Sequence, residues 1–178
     1  MPEPAPALEA IQRAIRNVPD FPKPGIQFKD ITPLLADASL FAATIELLTG
    51  SFQPGDVDAV VGIDARGFIF AAAAALKLRA GFIPVRKKGK LPFTTHEESY
   101  ALEYGTATVA LHTDALKPGS RVLLIDDLLA TGGTAEAAAK LVERVGGTIL
   151  QISFLIELAF LKGRDRLKPY RVNSLVVY

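Results

Sequence analysis

Arg121-Val122-Leu123-Leu124-Ile125-Asp126-Asp127-Leu128-Leu129-Ala130-Thr131-Gly132-Gly133-Thr134 joins three pieces of different chemistry. Val122 to Ile125, after the turn Lys117-Pro118-Gly119-Ser120, predict a short strand buried on both faces. Two carboxylates, Asp126 and Asp127, stand where that strand is expected to end. A loop of Thr and Gly comes next, and then Ala135 to Arg144, a run of strong helix formers. Glycines let a backbone approach a bulky anion, and the N–H groups and dipole at a helix start favour negative charge. Thr131 and Thr134 add hydroxyl donors, so the loop is suited to a phosphate. The acid pair, about one sugar length away, can accept from ribose hydroxyls or face a metal carrying a diphosphate. No Gly-Lys-Thr/Ser follows the glycines, which excludes a Walker loop, and no Gly-x-Gly-x-x-Gly is present here.

The same plan occurs earlier in the chain. Asp58 to Ile63 reads as a buried strand, Asp64-Ala65-Arg66-Gly67 as a loop, and Phe68 to Arg79 as an Ala-rich helix. Arginine followed by glycine at a helix start again suits an anion. Gly81 to Val85 predicts a third strand, ahead of the basic cluster Arg86-Lys87-Lys88-Gly89-Lys90. Leu91 to Gly105 is polar, contains Pro92 and reads as a long loop of the kind that forms lids. Strands are expected at Thr106–Leu111 and Thr148–Leu158, with an edge strand at Tyr170–Tyr178. Strands separated by helices imply right-handed βαβ units and a mainly parallel sheet. Ligand loops then lie at the carboxyl ends of strands, where Asp64, Arg86 and Asp126 all fall.

Toward the N-terminus, residues 2 to 6 alternate proline with other residues and predict a frayed, extended start. Leu8, Ile11 and Ile15 fit an amphipathic helix that ends near Asn17-Val18. The prolines of Phe21 to Pro33 predict a stiff, extended segment. Ser39 is the expected N-cap of a helix over Leu40 to Thr49.

Composition sets outer limits. The 178 residues suit one domain, 1–178, with a sizeable core, and 49% hydrophobic residues argue against disorder. Twenty Lys and Arg against 19 Asp and Glu leave a formal charge of +1, so bulk nucleic-acid binding is not expected. With no cysteine, neither a disulfide framework nor a thiolate metal site can form. Neither His96 nor His112 has a second His or Cys at ligand spacing, so a protein-built zinc site is not expected. The opening residues lack the pattern of a signal peptide, and the longest apolar run is too short to span a bilayer. A cytoplasmic protein without membrane contact is therefore expected.

Val-Leu-Leu-Ile-Asp-Asp-Leu-Leu-Ala-Thr-Gly-Gly-Thr resembles the phosphoribosyl-pyrophosphate (PRPP) motif of the type I phosphoribosyltransferases, and its Leu-Leu is typical of the adenine-specific branch. Phe-Pro-x-Pro-Gly-x-x-Phe-x-Asp-Ile, from Phe21, resembles that branch's adenine-recognition segment. Asp-Ala-Arg-Gly-Phe is similar to its pyrophosphate loop, and Arg-Lys-x-Gly-Lys-Leu-Pro with Ser-Tyr-x-Leu-Glu-Tyr-Gly to its flexible catalytic loop. Leu161-Lys162-Gly163-Arg164 is a further family-like stretch.

The resemblance covers nearly the whole chain. It implies the type I phosphoribosyltransferase fold, an α/β architecture with a mainly parallel sheet flanked by helices. It adds a small N-terminal hood with the adenine segment, residues 1–35, and a flexible lid, residues 87–105. The implied reaction, in purine salvage, moves 5-phosphoribosyl from PRPP to adenine, giving AMP and pyrophosphate, in a homodimer, with Mg²⁺ held mainly by PRPP and no metal held directly by the protein. Asp64, Ala65, Arg66, Arg86, Lys87 and Lys90 would hold the pyrophosphate end of PRPP, Asp126 and Asp127 the ribose, and Ala130, Thr131, Gly132, Gly133 and Thr134 the 5′-phosphate. The backbone of Gln27 and Lys29 would read the adenine edge, with Phe28 and Leu128 on its faces. Glu103 and Arg66 would be catalytic, and a non-proline cis peptide is implied at Asp64–Ala65. The alternatives are the same fold acting on xanthine or hypoxanthine, and a PRPP-sensing regulator that binds nucleic acid.

Overall fold

The computed structural model describes residues 4–101 and 105–178. Contacts divide the chain into two compact units, residues 1–47 and 48–178.

In the smaller unit, helix α1 (Pro4–Ala14) is followed by strands β1 (Arg16–Val18) and β2 (Phe28–Asp30), which pair antiparallel. Helices α2 (Thr32–Ala36) and the start of α3 (Ala38–Thr49) complete it. Three expectations are corrected here. The chain is helical from Pro4 rather than extended, because a proline in the first turn gives up an N–H that has no intrahelical partner anyway. For the same reason Pro33 sits inside the first turn of α2, so the extended stretch stops short of it. The cap of α3 is Asp37, not Ser39: its Oδ1 accepts from the N–H groups of Ser39 (2.9 Å) and Leu40 (3.0 Å).

The larger unit is built on a seven-stranded sheet of order β5-β6-β4-β3-β7-β8-β9. Strands β3 (Ala59–Ile63), β4 (Gly81–Lys87), β7 (Arg121–Leu129), β8 (Thr148–Glu157) and β9 (Val172–Val177) form the parallel part, with β9 at the edge. Strands β5 (Thr95–Ala101) and β6 (Thr106–His112) join it antiparallel through β4. Helix α4 (Gly67–Leu78) connects β3 to β4, and α5 (Gly133–Arg144) connects β7 to β8.

Each face of the sheet has its own helix. Val61, Ile63, Val122, Leu124, Ile152 and Phe154 form one buried cluster with Ala135, Ala138, Leu141 and Val142 of α5. On the opposite face α4 lies so close that a methyl group on Gly62 would come within 2.7 Å of the Ala71 Cβ. That contact explains the run of alanines in α4: small residues let the helix settle onto the strands. At the amino end of the strands, Arg121 binds Asp58 through its backbone N–H (2.7 Å), Nε (3.0 Å) and Nη2 (2.8 Å). These bonds hold the Asp58 carboxyl down at about 2 and tie the starts of β3 and β7 together.

Two further expectations change in this unit. Strand β7 does not stop before the acid pair but runs on to Leu129, because β8 pairs with it as far as Leu129↔Glu157. The polar stretch after the basic cluster is not all loop, since β5 pairs with β6 from Thr95↔His112 to Ala101↔Thr106. Its alternation is hard to see in sequence, for polar side chains occur on both sides and one of its cross-strand contacts is a hydroxyl pair, Ser99 with Thr108 at 2.8 Å.

Replacing Gly62 with alanine is expected to push α4 off the sheet and to destabilise the chain by about 1–3 kcal/mol. Urea unfolding of the two chains measures the difference; equal midpoints would show that the contact can relax.

Candidate functional site

Strand order alone creates a crevice. From β3 the chain crosses over α4 to β4 on one side, while β7 lies against β3 on the other. The connections leaving β3 and β7 therefore diverge at the carboxyl ends of two adjacent parallel strands, the usual position of a ligand in an open α/β sheet. The loop Asp64-Ala65-Arg66 leaves β3 there, and Asp126 and Asp127 lie near the end of β7.

The two loops touch. Arg66 Nε lies 2.8 Å from the Oδ2 of Asp127, a largely buried carboxylate. Asp64 takes a second arginine: Arg86 Nε donates to its Oδ2 at 3.2 Å, while Arg86 Nη1 donates to the Lys90 carbonyl at 3.0 Å. Arg86 thus ties the loop after β3 to the basic turn after β4. The Asp64–Ala65 peptide is cis, as expected, and so is Phe21–Pro22.

Gly67 lets α4 begin directly above the acid pair. A methyl group there would come within 2.6 Å of Asp126 Oδ1 and 3.1 Å of the Ile125 carbonyl. Asp126 Oδ1 accepts the backbone N–H of Asp127 at 2.9 Å. Burial pushes the Asp126 carboxyl well above its ordinary range, and the Asp127 charge beside it pushes in the same direction. Asp127 is also raised by burial, against the opposing pull of Arg66. Two buried carboxylates on neighbouring residues resist double ionisation, while Arg66 favours the charge on Asp127.

Beyond the acids, Gly132, with φ of +83°, is the N-cap of α5, and the chain turns there from strand to helix. Asp126, Leu128, Ala130, Thr131, Gly132 and Thr134 line a small concavity of about 60 Å³. The end of β5 lies against this corner, since a methyl group on Gly133 would be 3.1 Å from the Tyr100 ring and 3.5 Å from the Ala101 carbonyl. Glu103 lies outside the described residues, two positions beyond that contact. Lys87 ends β4 and is exposed, as is Lys90, whose N–H donates to the Lys87 carbonyl across the turn. In the N-terminal unit, Gln27 precedes β2 and is exposed, while Phe28 and Lys29 lie on the strand. The Phe28 ring meets Phe21 edge-on at 5.1 Å, and Lys29 Nζ donates to Asn17 Oδ1 at 2.7 Å.

A larger cavity of about 500 Å³ opens at the other end of the sheet, between Asp58, Gly81, Leu116 and Ser120. Its carboxylate is already committed to Arg121, so size there does not bring chemistry with it. Sequence reasoning overlooked one contributor to the phosphate-type loop: Gly163, from the turn after β8, packs against its outer side.

The family described as "Phosphoribosyl transferase domain" matches residues 31–176. An adenine phosphoribosyltransferase of Acidothermus cellulolyticus is 57% identical over 173 residues, 97% of this chain and 98% of that one. Another, from Nitrosococcus oceani, is 54% identical over 96% of this chain and 100% of its own length. Among solved structures, the adenine phosphoribosyltransferase of Rhodothermus marinus superposes with a TM-score of 0.93 at 55% identity, covering 98% of this chain and 99% of that one. The Saccharomyces cerevisiae enzyme, complexed with an imino-altritol bisphosphate and adenine, superposes with a TM-score of 0.90 at 38% identity, over 96% of this chain and 99% of its own. The chain belongs to the phosphoribosyltransferase family, with its type I fold, and within it to the adenine phosphoribosyltransferases.

The raised carboxyls give a signed expectation. A carboxyl whose folded value lies above its unfolded one, near 3.8, costs stability progressively as pH rises through that interval. Asp126→Asn keeps the oxygen that accepts the Asp127 N–H and removes the charge. Ligand-free Asp126→Asn should therefore melt above the native chain at pH 8, the gap closing toward pH 4. Thermal melts across that range check it, and a gap independent of pH would contradict the buried-charge account.

Proposed function

We propose that this chain makes AMP in purine salvage by moving the 5-phosphoribosyl group of PRPP to adenine, with release of pyrophosphate. The observation that carries this reading is the meeting of Arg66 with Asp127 at the ends of two adjacent parallel strands, beside the Ala130–Thr134 turn. Pyrophosphate, ribose and 5′-phosphate then have neighbouring partners in the order in which PRPP presents them.

The roles follow from charge. The bond between C1 of the ribose and the pyrophosphate oxygen breaks with both electrons leaving on oxygen, while adenine N9 supplies the pair for the new bond. Positive charge gathers on the ribose ring and negative charge on the departing group, so a site that binds the separated charges more tightly lowers the barrier. Arg66 would exchange Asp127 for pyrophosphate, with backbone N–H groups of Ala65 and Arg66 beside it. Arg86, Lys87 and Lys90 would approach the same group from the basic turn, and Asp64 would orient Arg86. Asp126 and Asp127 would accept the ribose hydroxyls. Ala130, Thr131, Gly132, Gly133 and Thr134 would hold the 5′-phosphate and so position C1 for attack. Gln27 and Lys29 would read the adenine edge through their backbones, with Phe28 and Leu128 on its faces. Glu103 would take the proton that N–C bond formation displaces from the base, or hold the reactive tautomer.

The family works with Mg²⁺. The ion would be held mainly by PRPP oxygens, with the acid pair facing it. Two carboxylates fit a cation that keeps water and substrate phosphate oxygens as its other ligands. When bound, Mg²⁺ would supply charge neutralisation for the diphosphate. Asp126 and Asp127 would face it as carboxylates.

Two further parts of the reading concern surroundings. Among the described residues no helix is long and apolar enough to cross a membrane, and the absence of cysteine suits a reducing compartment; we assign the chain to the cytoplasm. Ile69, Phe82 and above all Leu76, at 83% exposure, leave apolar surface on and beside α4, which supports a homodimer formed through that helix.

The test of function is AMP formation from adenine and PRPP, with hypoxanthine and xanthine as competing bases. Adenine should be the base consumed, and Glu103→Ala should lower turnover by about 10²-fold. Preference for another purine would overturn the adenine assignment, and near-native turnover of the variant would remove Glu103 from proton handling. Leu76→Glu should elute as a monomer in gel filtration; an unchanged elution volume would move the dimer contact elsewhere.

A further inference from the structure

The stretch Leu161-Lys162-Gly163-Arg164 is remote in sequence from the phosphate-type loop yet lies against it. A methyl group on Gly163 would overlap the Ala130 carbonyl oxygen and come within 2.9 Å of the Gly132 nitrogen. In the reverse direction, a methyl group on Gly132 would run into the Gly163 backbone, at 3.2 Å from its Cα. Main chain therefore packs on main chain with no side chain between. The carbonyl and N–H of a trans peptide point in opposite directions. With the Ala130 carbonyl turned toward Gly163, the Thr131 N–H is directed away from that turn. Gly163 is not among the residues that line the concavity of Asp126 to Ala135, so it meets the loop from behind.

The turn is itself well fastened. Arg164 Nε donates to Glu157 Oε1 at 3.1 Å, and its Nη2 makes a short bond to the other oxygen of this buried carboxylate at the end of β8. Arg164 Nη1 donates to the Val172 carbonyl at 3.1 Å, and Nη2 to Ser174 Oγ at 3.2 Å, both on β9. Leu167 is fully buried in the main core, and Arg166 reaches Glu136 in the first turn of α5 at 3.1 Å. Two strands and a helix thus fix where the Gly163 backbone stands.

We propose that Gly163 and Arg164 are positioning residues for 5′-phosphate binding: the glycine backs the Ala130–Thr134 loop, and Arg164 holds that backing against β8 and β9. This inference rests on the reading of that loop as the 5′-phosphate cradle. Neither residue need touch substrate. A loop displaced from behind turns its N–H groups away from the phosphate oxygens and loses affinity for the PRPP end it holds, while adenine recognition, carried by residues 27 to 29, is spared.

The experiment compares Gly163→Ala, Arg164→Lys and Thr131→Ala with the native chain. Steady-state KM is measured for each substrate, ribose 5-phosphate is titrated calorimetrically, and melting temperature checks folding. Gly163→Ala should raise the KM for PRPP by about tenfold or more and weaken ribose 5-phosphate binding in parallel, leaving the adenine KM unchanged. Arg164→Lys, which keeps the charge but not the several bonds, should move the same two quantities by a smaller factor. A folded Gly163→Ala chain with native PRPP KM overturns the proposal, as do equal rises for both substrates. Should Gly163→Ala fail to fold, a native PRPP KM in Arg164→Lys overturns it instead. Native ribose 5-phosphate binding by Thr131→Ala overturns the cradle reading itself, separately from the role of Gly163.

Discussion

Two parallel strands lying side by side, β3 and β7, impose the constraint from which the site follows. Their loops must emerge at the same end of the sheet, where the first turn of α4 reaches the acid pair of β7. The Arg66–Asp127 ion pair spans the opening between them. A guanidinium from the loop after one strand meets a carboxylate on the next, because parallel pairing brings both strand ends to the same edge of the sheet. Such a pair neutralises itself in the free chain and has a partner for each end of a substrate that separates charge.

Close packing around glycine makes this arrangement possible. Gly62 lets α4 settle on β3, and Gly67 lets its first turn sit on the acid pair, so the carboxyls lose water and are pushed toward protonation. Burial of two like charges costs stability unless a proton, a cation or donor groups compensate. The corner thus gives up stability that a bound cation or donor groups would restore. Gly132 and Gly163 repeat the device on the other side of β7, where two backbones meet without side chains. In each case a missing side chain is what permits the approach.

Much of this was legible beforehand, and the reasons are particular. The run Val122 to Ile125, the acid pair, the glycines and the alanines of α5 are local signals with one common interpretation. The cis peptide at Asp64–Ala65 was implied by the resemblance of its loop, not by any propensity. Other features were obscured where local preference and long-range pairing disagree. Polar β5 reads as loop because its strand character comes from β6. Pro4, Pro6 and Pro33 look like breakers, yet they occupy first turns where a missing N–H does no harm. Strand β7 continues through two carboxylates because β8 supplies hydrogen bonds on its flank.

By itself the sequence determined the class of fold, the two anion-suited loops and the residues they contain, because each depends on periodicity and on backbone freedom within about a dozen neighbours. Only the tertiary structure decided which charges meet. Arg66 is joined to Asp127, Asp64 takes Arg86, and Gly163 backs a loop some thirty positions earlier in the chain. The physical reason is that ion pairs and backbone contacts between separate elements depend on strand order and helix placement, and no local pattern of residues encodes either.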